Sequence, residues 1–387
     1  MSLNNVTDMQ NSPAPERVGK ESALSVTRLR LTNFRSYASV EIAASGAPVV
    51  LAGANGAGKT NLLDAISLLS PGRGLRGARL GEHTRRGPSA LSEALWAVAA
   101  TVTRAGETYD IGTGLTSSQG SERRQVRLNG AAAASSADLG DVVQMLWLTP
   151  AMDRLFIESA SGRRKFLDRL TLGFDAGHAR AATRYETAMR ERARLLKYGP
   201  RDPAWLDGLE SEMVEAGLAM AKARRDTVAR LNGALEERVG AFPAAQLSLD
   251  SDDTDETLGE RLARARIRDA EAGRTTVGPH LVDLAVRHTQ KRTDARQCST
   301  GEQKALLISI VLADARVLSR ARDGLCPILL LDEIAAHLDI TRRAALFDEI
   351  LELGAQAWMT GTDMEMFSAL RGQADLFEVA DSLPRPI

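Results

Sequence analysis

Hydrophobic positions form their clearest pattern near residue 50, where an apolar run, a glycine-rich stretch and a helical stripe follow one another. Residues 49–51 are apolar throughout, as is typical of a buried parallel strand. The helical stripe consists of Leu62, Leu63, Ile66 and Leu69. It ends at Ser70-Pro71-Gly72, because proline cannot continue a helix and glycine tolerates the turn. The pattern predicts a strand, a glycine loop and a helix.

Alternation of apolar and polar residues predicts antiparallel strands on both sides of this unit. Residues 28–31 and 40–42 alternate before it. After it, the alternating apolar positions are Trp96, Val98, Ala100, Val102, Tyr109 and Ile111. Residues 126–128 then lead into Asn129-Gly130, a strong hairpin signal. We therefore expect an antiparallel opening to the fold and a small β-sheet after the glycine-loop helix.

From about residue 161 the pattern becomes helical. One helical stripe consists of Val228, Leu231, Leu235 and Val239. The segment between Lys59 and Gly301 has no sustained heptads, so a long coiled coil is not expected. An apolar helix at 306–312 and a buried strand at 328–331 follow. We interpret 161–272 as a helical arm inserted into an α/β core.

Composition narrows the class of protein. A chain of 387 residues with 44% hydrophobic residues can build a sizeable core, in one large domain or two. The net charge of -1 argues against coating of nucleic acid by the whole surface, so such binding would use local basic patches. The two cysteines, Cys298 and Cys326, fit neither a disulfide framework nor a zinc site and favour a reducing compartment.

The chain start also bears on location. No stretch approaches the roughly 18 apolar residues of a membrane helix, so no membrane partner is expected. Residues 1–22 are polar, contain Pro13 and Pro15, and lack the charged-then-apolar order of a secretion signal. We expect 1–24 to be a disordered tail and the protein to be cytoplasmic.

The glycine loop fits the eight-residue P-loop pattern. Its glycines let the backbone fold tightly, so several N–H groups can point at one phosphate chain beside the positive end of a helix. Lys59 is expected to reach the β- and γ-phosphates of ATP, and Thr60 to offer its hydroxyl to Mg²⁺. A glycine-rich turn that binds nothing is the alternative. The predicted ATP-binding residues are Gly53, Ala54, Asn55, Gly56, Ala57, Gly58, Lys59, Thr60 and Asn61.

The apolar run at 328–331 ends in Asp332-Glu333. Carboxylates placed there emerge at the C-terminal edge of a strand, where open α/β sheets bind ligands. Asp332 is expected to hold Mg²⁺, directly or through water. Glu333 is the candidate catalytic residue that polarises the attacking water, with Lys59 as its catalytic partner at the phosphates. The alternative is a strand that simply ends in solvent.

Residues 298–304 resemble the signature loop of the ABC-type ATPases. Ser299 is expected to cap the following helix and, with Gly301, to present backbone N–H groups and a positive helix end to a phosphate. In that superfamily the signature contacts ATP held by a second copy, so the resemblance implies an ATP-dependent homodimer. An ordinary helix cap is the alternative.

Three further positions follow from the same resemblance. Asp339 lies where these ATPases have the loop that pairs across the dimer, which implies a place for it at the nucleotide. Most ABC-type ATPases have a switch histidine after the next strand, whereas residues 357–362 contain none, which leaves the hydrolysis rate open. Gln144 is the candidate for their glutamine loop.

Over nearly the whole chain after the tail, the sequence resembles the RecF family of bacterial DNA repair. The similar segments are 29–37, 59–66, 162–168, 277–280 and 299–304. The family usually has a basic and then an acidic residue after His280, whereas here Leu281 and Val282 precede Asp283. The resemblance implies an α/β fold, with an ABC-type P-loop ATPase head, an antiparallel β-subdomain and an inserted helical second lobe. The head is expected to comprise 25–160 and 273–387, with the lobe at 161–272.

The resemblance also implies partners. These are double-stranded DNA near single-strand gaps, RecR with RecO, and indirectly the recombinase RecA. It implies a weak, DNA-stimulated ATPase that supports recombinational repair and replication-fork maintenance at the nucleoid. The basic clusters that could touch DNA phosphates are Arg85-Arg86, Arg123-Arg124 and Arg163-Arg164-Lys165. Each such cluster is by default a solvated face.

Three other functions stay open at this point. A transporter ATPase subunit would usually have a shorter gap between P-loop and signature. An SMC-like structural tether would need far more chain for its coiled coil. A P-loop NTPase acting as a monomer would leave the signature stretch unused.

Overall fold

We describe the protein from a computed structural model. The structure describes residues 24–86, 95–118, 121–199, 202–237, 240–250, 256–336 and 338–387. All of the predicted tail except Leu24 therefore lies outside the described residues.

Strands and helices follow one another along the chain in an α/β order. The strands are β1 (Leu24–Phe34), β2 (Tyr37–Ala43), β3 (Val49–Ala52), β4 (Ala97–Arg104), β5 (Glu107–Ser118), β6 (Ser121–Leu128), β7 (Ala131–Ala132), β8 (Met145–Leu148), β9 (Ala245–Asp250), β10 (Asp283–His288), β11 (Thr293–Asp294), β12 (Ile328–Leu331), β13 (Ala357–Gly361), β14 (Asp375–Ala380) and β15 (Leu383–Pro386). The helices are α1 (Lys59–Ser67), α2 (Ala160–Phe174), α3 (His178–Tyr198), α4 (Pro203–Glu236), α5 (Leu258–Arg264), α6 (Arg266–Ala272), α7 (Thr300–Ala321) and α8 (Ile340–Glu352).

The alternating segments form one antiparallel sheet in the order β2-β1-β4-β5-β6-β7. Strand β1 lies between β2 and β4, with Leu31 opposite Val40 on one side and Val98 on the other. The opening strands and the strands that follow α1 therefore belong to the same sheet. Asn129 and Gly130 form the turn between β6 and β7, as their sequence predicted.

The second large sheet has the order β15-β14-β3-β13-β12-β8. All its strands run parallel except β15, which pairs antiparallel with β14. The glycine loop after β3 and Asp332-Glu333 after β12 therefore leave the sheet at one edge, which we call the carboxyl edge. The opposite edge, where β8 and β12 begin, is the amino edge.

Two hydrophobic layers cover the two faces of this parallel sheet. In β3, Val50 packs into one layer, whereas Val49 and Leu51 pack into the other. Helices α2, α4, α7 and α8 supply the first layer, and α1 with the antiparallel sheet supplies the second. Because both faces are buried, these strands are apolar throughout rather than alternating.

The segment 161–272, which the sequence predicts to be a helical lobe, contains helices α2 to α6 and also a strand that the sequence pattern did not reveal. Strand β9 lies between α4 and α5 and pairs with β10, Ala245 opposite His288, in a three-stranded sheet with β11. Ala245 and Leu247 are buried, and the residues between and after them are exposed. This alternation was the available signal, but it spans only one short strand within a helical context.

Buried ion pairs join three helices of this segment. Arg192 on α3 is fully buried and donates to Glu210 on α4 (2.8 Å) and to Asp269 on α6 (2.6 Å). Its remaining donors reach Thr275 and the carbonyl of Leu262.

Among the described residues, no helix combines the length and the apolar character needed to cross a membrane.

Candidate nucleotide site

Lys59 turns back into the glycine loop. Its Nζ donates to the carbonyl oxygens of Gly53 (2.6 Å) and Ala54 (2.8 Å). Burial lowers the pKa of Lys59, and the negative charges of Glu333 and Asp332 partly offset that effect. The ammonium therefore lies inside the loop, where the charges of Asp332 and Glu333 act on it.

Two glycines shape the loop for different reasons. Gly58 is the N-cap of α1 with φ of 108°, and an added Cβ would lie 2.7 Å from Tyr37 Oη. At Gly53, an added Cβ would overlap the carbonyl oxygen of Val379 on β14. Between them, residues 54–56 are exposed, and the N–H of Ala57 closes a turn onto the carbonyl of Ala54 (3.2 Å). The loop backbone is thus packed on its inner side and open on its outer side.

Asp332 forms the centre of a small polar network at the carboxyl edge. Its Oδ1 accepts hydrogen bonds from the hydroxyls of Thr60 (2.9 Å) and Thr360 (2.8 Å). Asp332 and Thr60 offer one carboxylate and one hydroxyl oxygen, which are the hard ligands that suit Mg²⁺. The residues present therefore fit the metal ion that the sequence motif implies.

Thr360 is a site residue that sequence reasoning missed. It lies in β13, is fully buried, and accepts a hydrogen bond from the N–H of Glu333 (2.8 Å). Glu333 has a positive φ of 50°, uncommon for a residue other than glycine. The Thr360 hydroxyl therefore holds the backbone turn that directs the Glu333 side chain. A single threonine within an apolar strand was the available signal.

Side chains of the β1–β2 hairpin contact α1, the helix that follows the glycine loop. Arg35 pairs with Asp64 of α1 (2.7 Å), and Asn61 donates to Ser36 Oγ (3.0 Å). Burial alone would raise the pKa of Asp64, but the hydrogen bond with His83 and the charge of Arg35 outweigh it and lower that pKa. The side chain of Asn61 consequently points to the hairpin.

Ser299 is the N-cap of α7. Its hydroxyl accepts from the N–H of Glu302 (3.4 Å), and the Glu302 carboxylate accepts from the N–H of Ser299 (3.0 Å). Hydrogen bonds from Lys291 and from Ser299 lower the pKa of Glu302 to about 2. Ser299 is exposed, and an added Cβ at Gly301 would meet open space. Within the part of the chain that the structure describes, no hydrogen bond joins Ser299 or Gly301 to the glycine loop.

Lys304, one turn further along α7, is a second residue that the sequence did not single out. Its buried Nζ donates to the carbonyl oxygens of Ala336 (3.0 Å) and Glu333 (3.4 Å) and lies 3.5 Å from Asp153. The helix that begins at Ser299 is thereby tied to the loop that carries Glu333.

Asp339 lies at the end of the same loop, and among the described residues no hydrogen bond or ion pair joins it to the glycine loop. It is exposed and caps α8, accepting from the N–H of Arg342 (2.8 Å). Its neighbour His337 lies outside the described residues.

The structure rules out Gln144 as a neighbour of the glycine loop. It directly precedes β8, whose Met145 and Leu148 pair with Ile328 and Leu331 of β12. Gln144 is therefore at the amino edge, a strand length of roughly 13 Å from the carboxyl edge. The sequence left the register of this glutamine open, and the structure shows that Gln144 precedes β8, whereas a residue at the carboxyl edge would have to follow it.

In each of two basic clusters, one arginine is committed to internal contacts. Arg124 donates to the carbonyls of Leu68 and Gly72 at the end of α1. Arg163 forms a bidentate pair with Asp283 (2.6 Å for the shorter ion pair). Across all three predicted basic clusters, the exposed basic side chains are Arg86, Arg123 and Lys165.

The glycine loop after β3, the Asp-Glu pair after β12 and the antiparallel sheet packed on one face define the head of an ABC-type ATPase. A model of the RecF/RecN/SMC N terminal domain matches residues 25–383. The chain is 50% identical over 370 residues to the DNA replication and repair protein RecF of Rhizobium etli (strain CIAT 652), which covers 92% of this chain and 98% of that protein. The chain belongs to the RecF family, as its sequence motifs predicted.

Solved structures agree with this fold. The structure of the recombination mediator protein RecF-ATPrS in the RecFOR pathway matches with a TM-score of 0.81 at 22% identity, covering 95% of this chain and 99% of that one. An Smc head domain derived from Pyrococcus furiosus matches with a TM-score of 0.55 at 17% identity, covering 94% and 96%. At these identities the likeness concerns the fold, and it confirms the predicted ABC-type head.

Proposed function

We propose that this protein is an ATP-dependent DNA-binding protein of recombinational repair. The observation that carries the proposal is the meeting of Lys59, Thr60 and Asp332 at one sheet edge, although Thr60 and Asp332 are 272 positions apart in the chain. The name of its 50% identical relative, a DNA replication and repair protein, supplies the biological context.

Residues 53–61 bind the triphosphate of ATP in this proposal. The first N–H groups of α1 have no partner within the helix, so they are available to phosphate oxygens. When ATP binds, the Lys59 ammonium gives up its hydrogen bonds to the two loop carbonyls and forms hydrogen bonds to the β- and γ-phosphates. Thr60 and Asp332 hold Mg²⁺, which when bound neutralises phosphate charge. Glu333 accepts a hydrogen bond from the attacking water and draws away its proton.

A second copy of the chain completes the site. At the start of α7, a helix of 22 residues, Ser299 is exposed and Gly301 is half-buried with open space beside its Cα. Both can therefore approach the γ-phosphate held by another molecule. Asp339 is exposed at the end of the loop after Glu333 and contacts the partner molecule in the same arrangement. ATP then joins two heads, and its hydrolysis separates them.

The dimer binds double-stranded DNA near single-strand gaps through backbone contacts without reading sequence. Slow, DNA-stimulated hydrolysis acts as a release timer, which agrees with the lack of a switch histidine at 357–362. RecR and RecO are the proposed protein partners, RecA the recombinase that benefits, and the cytoplasmic nucleoid the place of action. The similar fold of a recombination mediator protein in the RecFOR pathway supports this assignment.

Three variants test the split site by gel filtration with and without ATP. We expect Lys59→Ala to lose nucleotide binding, and Glu333→Gln to bind ATP and persist as a dimer. Ser299→Arg should bind ATP and stay monomeric. A matched control is Thr257→Arg, because Thr257 is the exposed N-cap of α5 and also forms a capping box. Loss of either N-cap side chain should lower the free energy of unfolding by a similar ~1 kcal/mol. A normal dimer of Ser299→Arg would refute the shared site.

DNA binding is tested separately with duplex, single-stranded and gapped substrates at two salt concentrations. We expect ATP to strengthen duplex binding and higher salt to weaken it, since phosphate contacts release counterions. Equal binding with and without ATP would remove the link between dimerisation and DNA.

A further inference from the structure

A cavity of about 470 Å³ lies at the amino edge of the parallel sheet, on the side opposite the glycine loop. We call it the amino-edge cavity. Its wall is formed by the segment 70–74 after α1, by residues 143–147 around the start of β8, by α2, and by Leu318 and Arg322 near the end of α7. It therefore lies between the head and the helical lobe, and none of the proposed ATP-binding residues lines it.

The most informative group in its wall is Arg169 on α2. The guanidinium stacks on the ring of Trp147, 3.8 Å from its centroid, and both residues line the cavity. Within the described residues, its buried Nη1 has no hydrogen-bond partner, and neither has the buried Oε1 of Gln144, which lines the same cavity. Burial lowers the pKa of Arg169 to about 9. A guanidinium charge that is poorly solvated is costly, and an anion bound in the cavity would offset that cost.

Other charges around the cavity are mainly positive. Its further basic wall residues are Arg73, Arg104, Lys165 and Arg322. The two carboxylates in the wall are Asp141 and Asp168, and Asp168 is already paired with Arg224 (2.8 Å) and His178 (2.8 Å). Asp168 therefore cannot serve as a free counter-ion for Arg169.

The rest of the wall is apolar. It includes Pro71, Met145, Leu146, Leu172 and Leu318. A volume of a few hundred cubic ångströms with mostly apolar walls and a few polar anchors is the usual form of a small-molecule site. Inorganic phosphate alone would leave these apolar walls unfilled.

We propose that the amino-edge cavity binds a small organic anion, namely a carboxylate or phosphate attached to an apolar or aromatic body. The anionic group pairs with the guanidinium of Arg169, and the apolar body packs against Leu172 and Leu318. The cavity wall contains residues near the C-terminal ends of two helices: the segment 70–74 follows α1, and Leu318 lies near the end of α7. At their N-terminal ends, the first turn of α1 carries Lys59 and the first turn of α7 follows Ser299. A ligand here contacts the far ends of both helices, so it can act as an effector of the nucleotide site. The binding step itself does not depend on the proposed function.

Anilinonaphthalene sulfonate is a suitable probe, because it joins an anionic group to an aromatic body and its fluorescence reports binding. We expect saturable binding of one probe molecule per chain, displaced by phenyl phosphate and far less by inorganic phosphate. Arg169→Met should weaken binding by about tenfold or more, the usual loss for one charge-assisted hydrogen bond. Arg194→Met, which removes an exposed arginine of α3 outside the cavity wall, is the matched control and should bind normally.

A second variant covers the case in which Arg169→Met fails to fold. Ala176 lies in the cavity wall but is exposed, so Ala176→Trp should narrow the cavity without disturbing the core. It should weaken the probe by a similar factor while keeping the wild-type circular dichroism spectrum and melting temperature. Phenylnaphthylamine, which lacks the sulfonate, should bind weakly to all variants. Undiminished probe binding in Arg169→Met or in Ala176→Trp, or failure of phenyl phosphate to compete, would overturn the proposal.

Discussion

Replacement of Gly58 by alanine should disable the glycine loop, and the structure gives the size of the effect. The backbone has φ of 108° there, which costs a residue with a Cβ about 1–3 kcal/mol. The new Cβ would also lie 2.7 Å from Tyr37 Oη and 3.2 Å from Ser36 Oγ, so the hairpin must shift, at roughly 1–3 kcal/mol more. Loss of glycine entropy in the unfolded chain returns about 0.4–1 kcal/mol. A net cost of about 3 kcal/mol, or ~150-fold in an equilibrium constant, is expected.

Gly56→Ala is the matched control for the unfolding measurement, because Gly56 also has a positive φ, 84°, but its added Cβ would meet no protein atom within 4 Å. It should cost only about 1 kcal/mol. If the loop keeps its shape in Gly58→Ala, the cost lowers the free energy of unfolding. If the loop moves instead, the cost lowers the affinity for ATP. Urea unfolding and a fluorescent-nucleotide titration together therefore measure it. Tyr37→Phe, which removes the Oη, should restore part of the loss in a Gly58→Ala background. Equal costs for Gly58→Ala and Gly56→Ala, with no effect of Tyr37→Phe, would refute the reasoning.

Three other changes have definite expected outcomes. Lys304→Met should lower steady-state ATP hydrolysis by about tenfold while nucleotide affinity changes by less than about twofold. The reason is that only the loop after β12 loses its anchor. A parallel fall of hydrolysis and affinity would contradict this. Burial raises the pKa of Asp314 well above its usual value, so the folded state keeps a proton that the unfolded chain releases, and stability falls as pH rises above about 4. Asp314→Asn should therefore stabilise the protein more at pH ~7.5 than at pH ~5 in urea unfolding, and an equal gain at both values would contradict the assignment. Arg192→Met should lower the free energy of unfolding by about 3–5 kcal/mol, because buried carboxylates such as Asp269 lose their partner. Arg184 of the same helix forms exposed ion pairs, so Arg184→Met should lower the free energy of unfolding by less than about 1 kcal/mol.

The strand, glycine loop and helix around residue 58 could be predicted because each signal is local. An apolar run, a glycine spacing and an i, i+3, i+4 stripe are all contained in some twenty residues. The same holds for strand β12 with its Asp-Glu end and for the cap at Ser299, whose hydrogen bonds stay within one helical turn. Family resemblance then supplied the order in which these pieces combine.

Basic clusters were less predictable, because charge in the sequence does not indicate a partner. Arg124 and Arg163 have the same local appearance as Arg123, yet they donate to the end of α1 and to Asp283. Strand β9 was missed because its alternation covers only six residues and its partner β10 lies more than thirty positions away.

The sequence by itself determined the family, the two nucleotide motifs and the apolar strands that carry them, since these depend on neighbours along the chain. Only the tertiary structure decided that Thr360 completes the Asp332 network, that Lys304 holds the Glu333 loop, and that Gln144 lies at the opposite edge. These contacts depend on strand order and direction in the parallel sheet. Strand pairing is set by packing of both sheet faces, which no local pattern records.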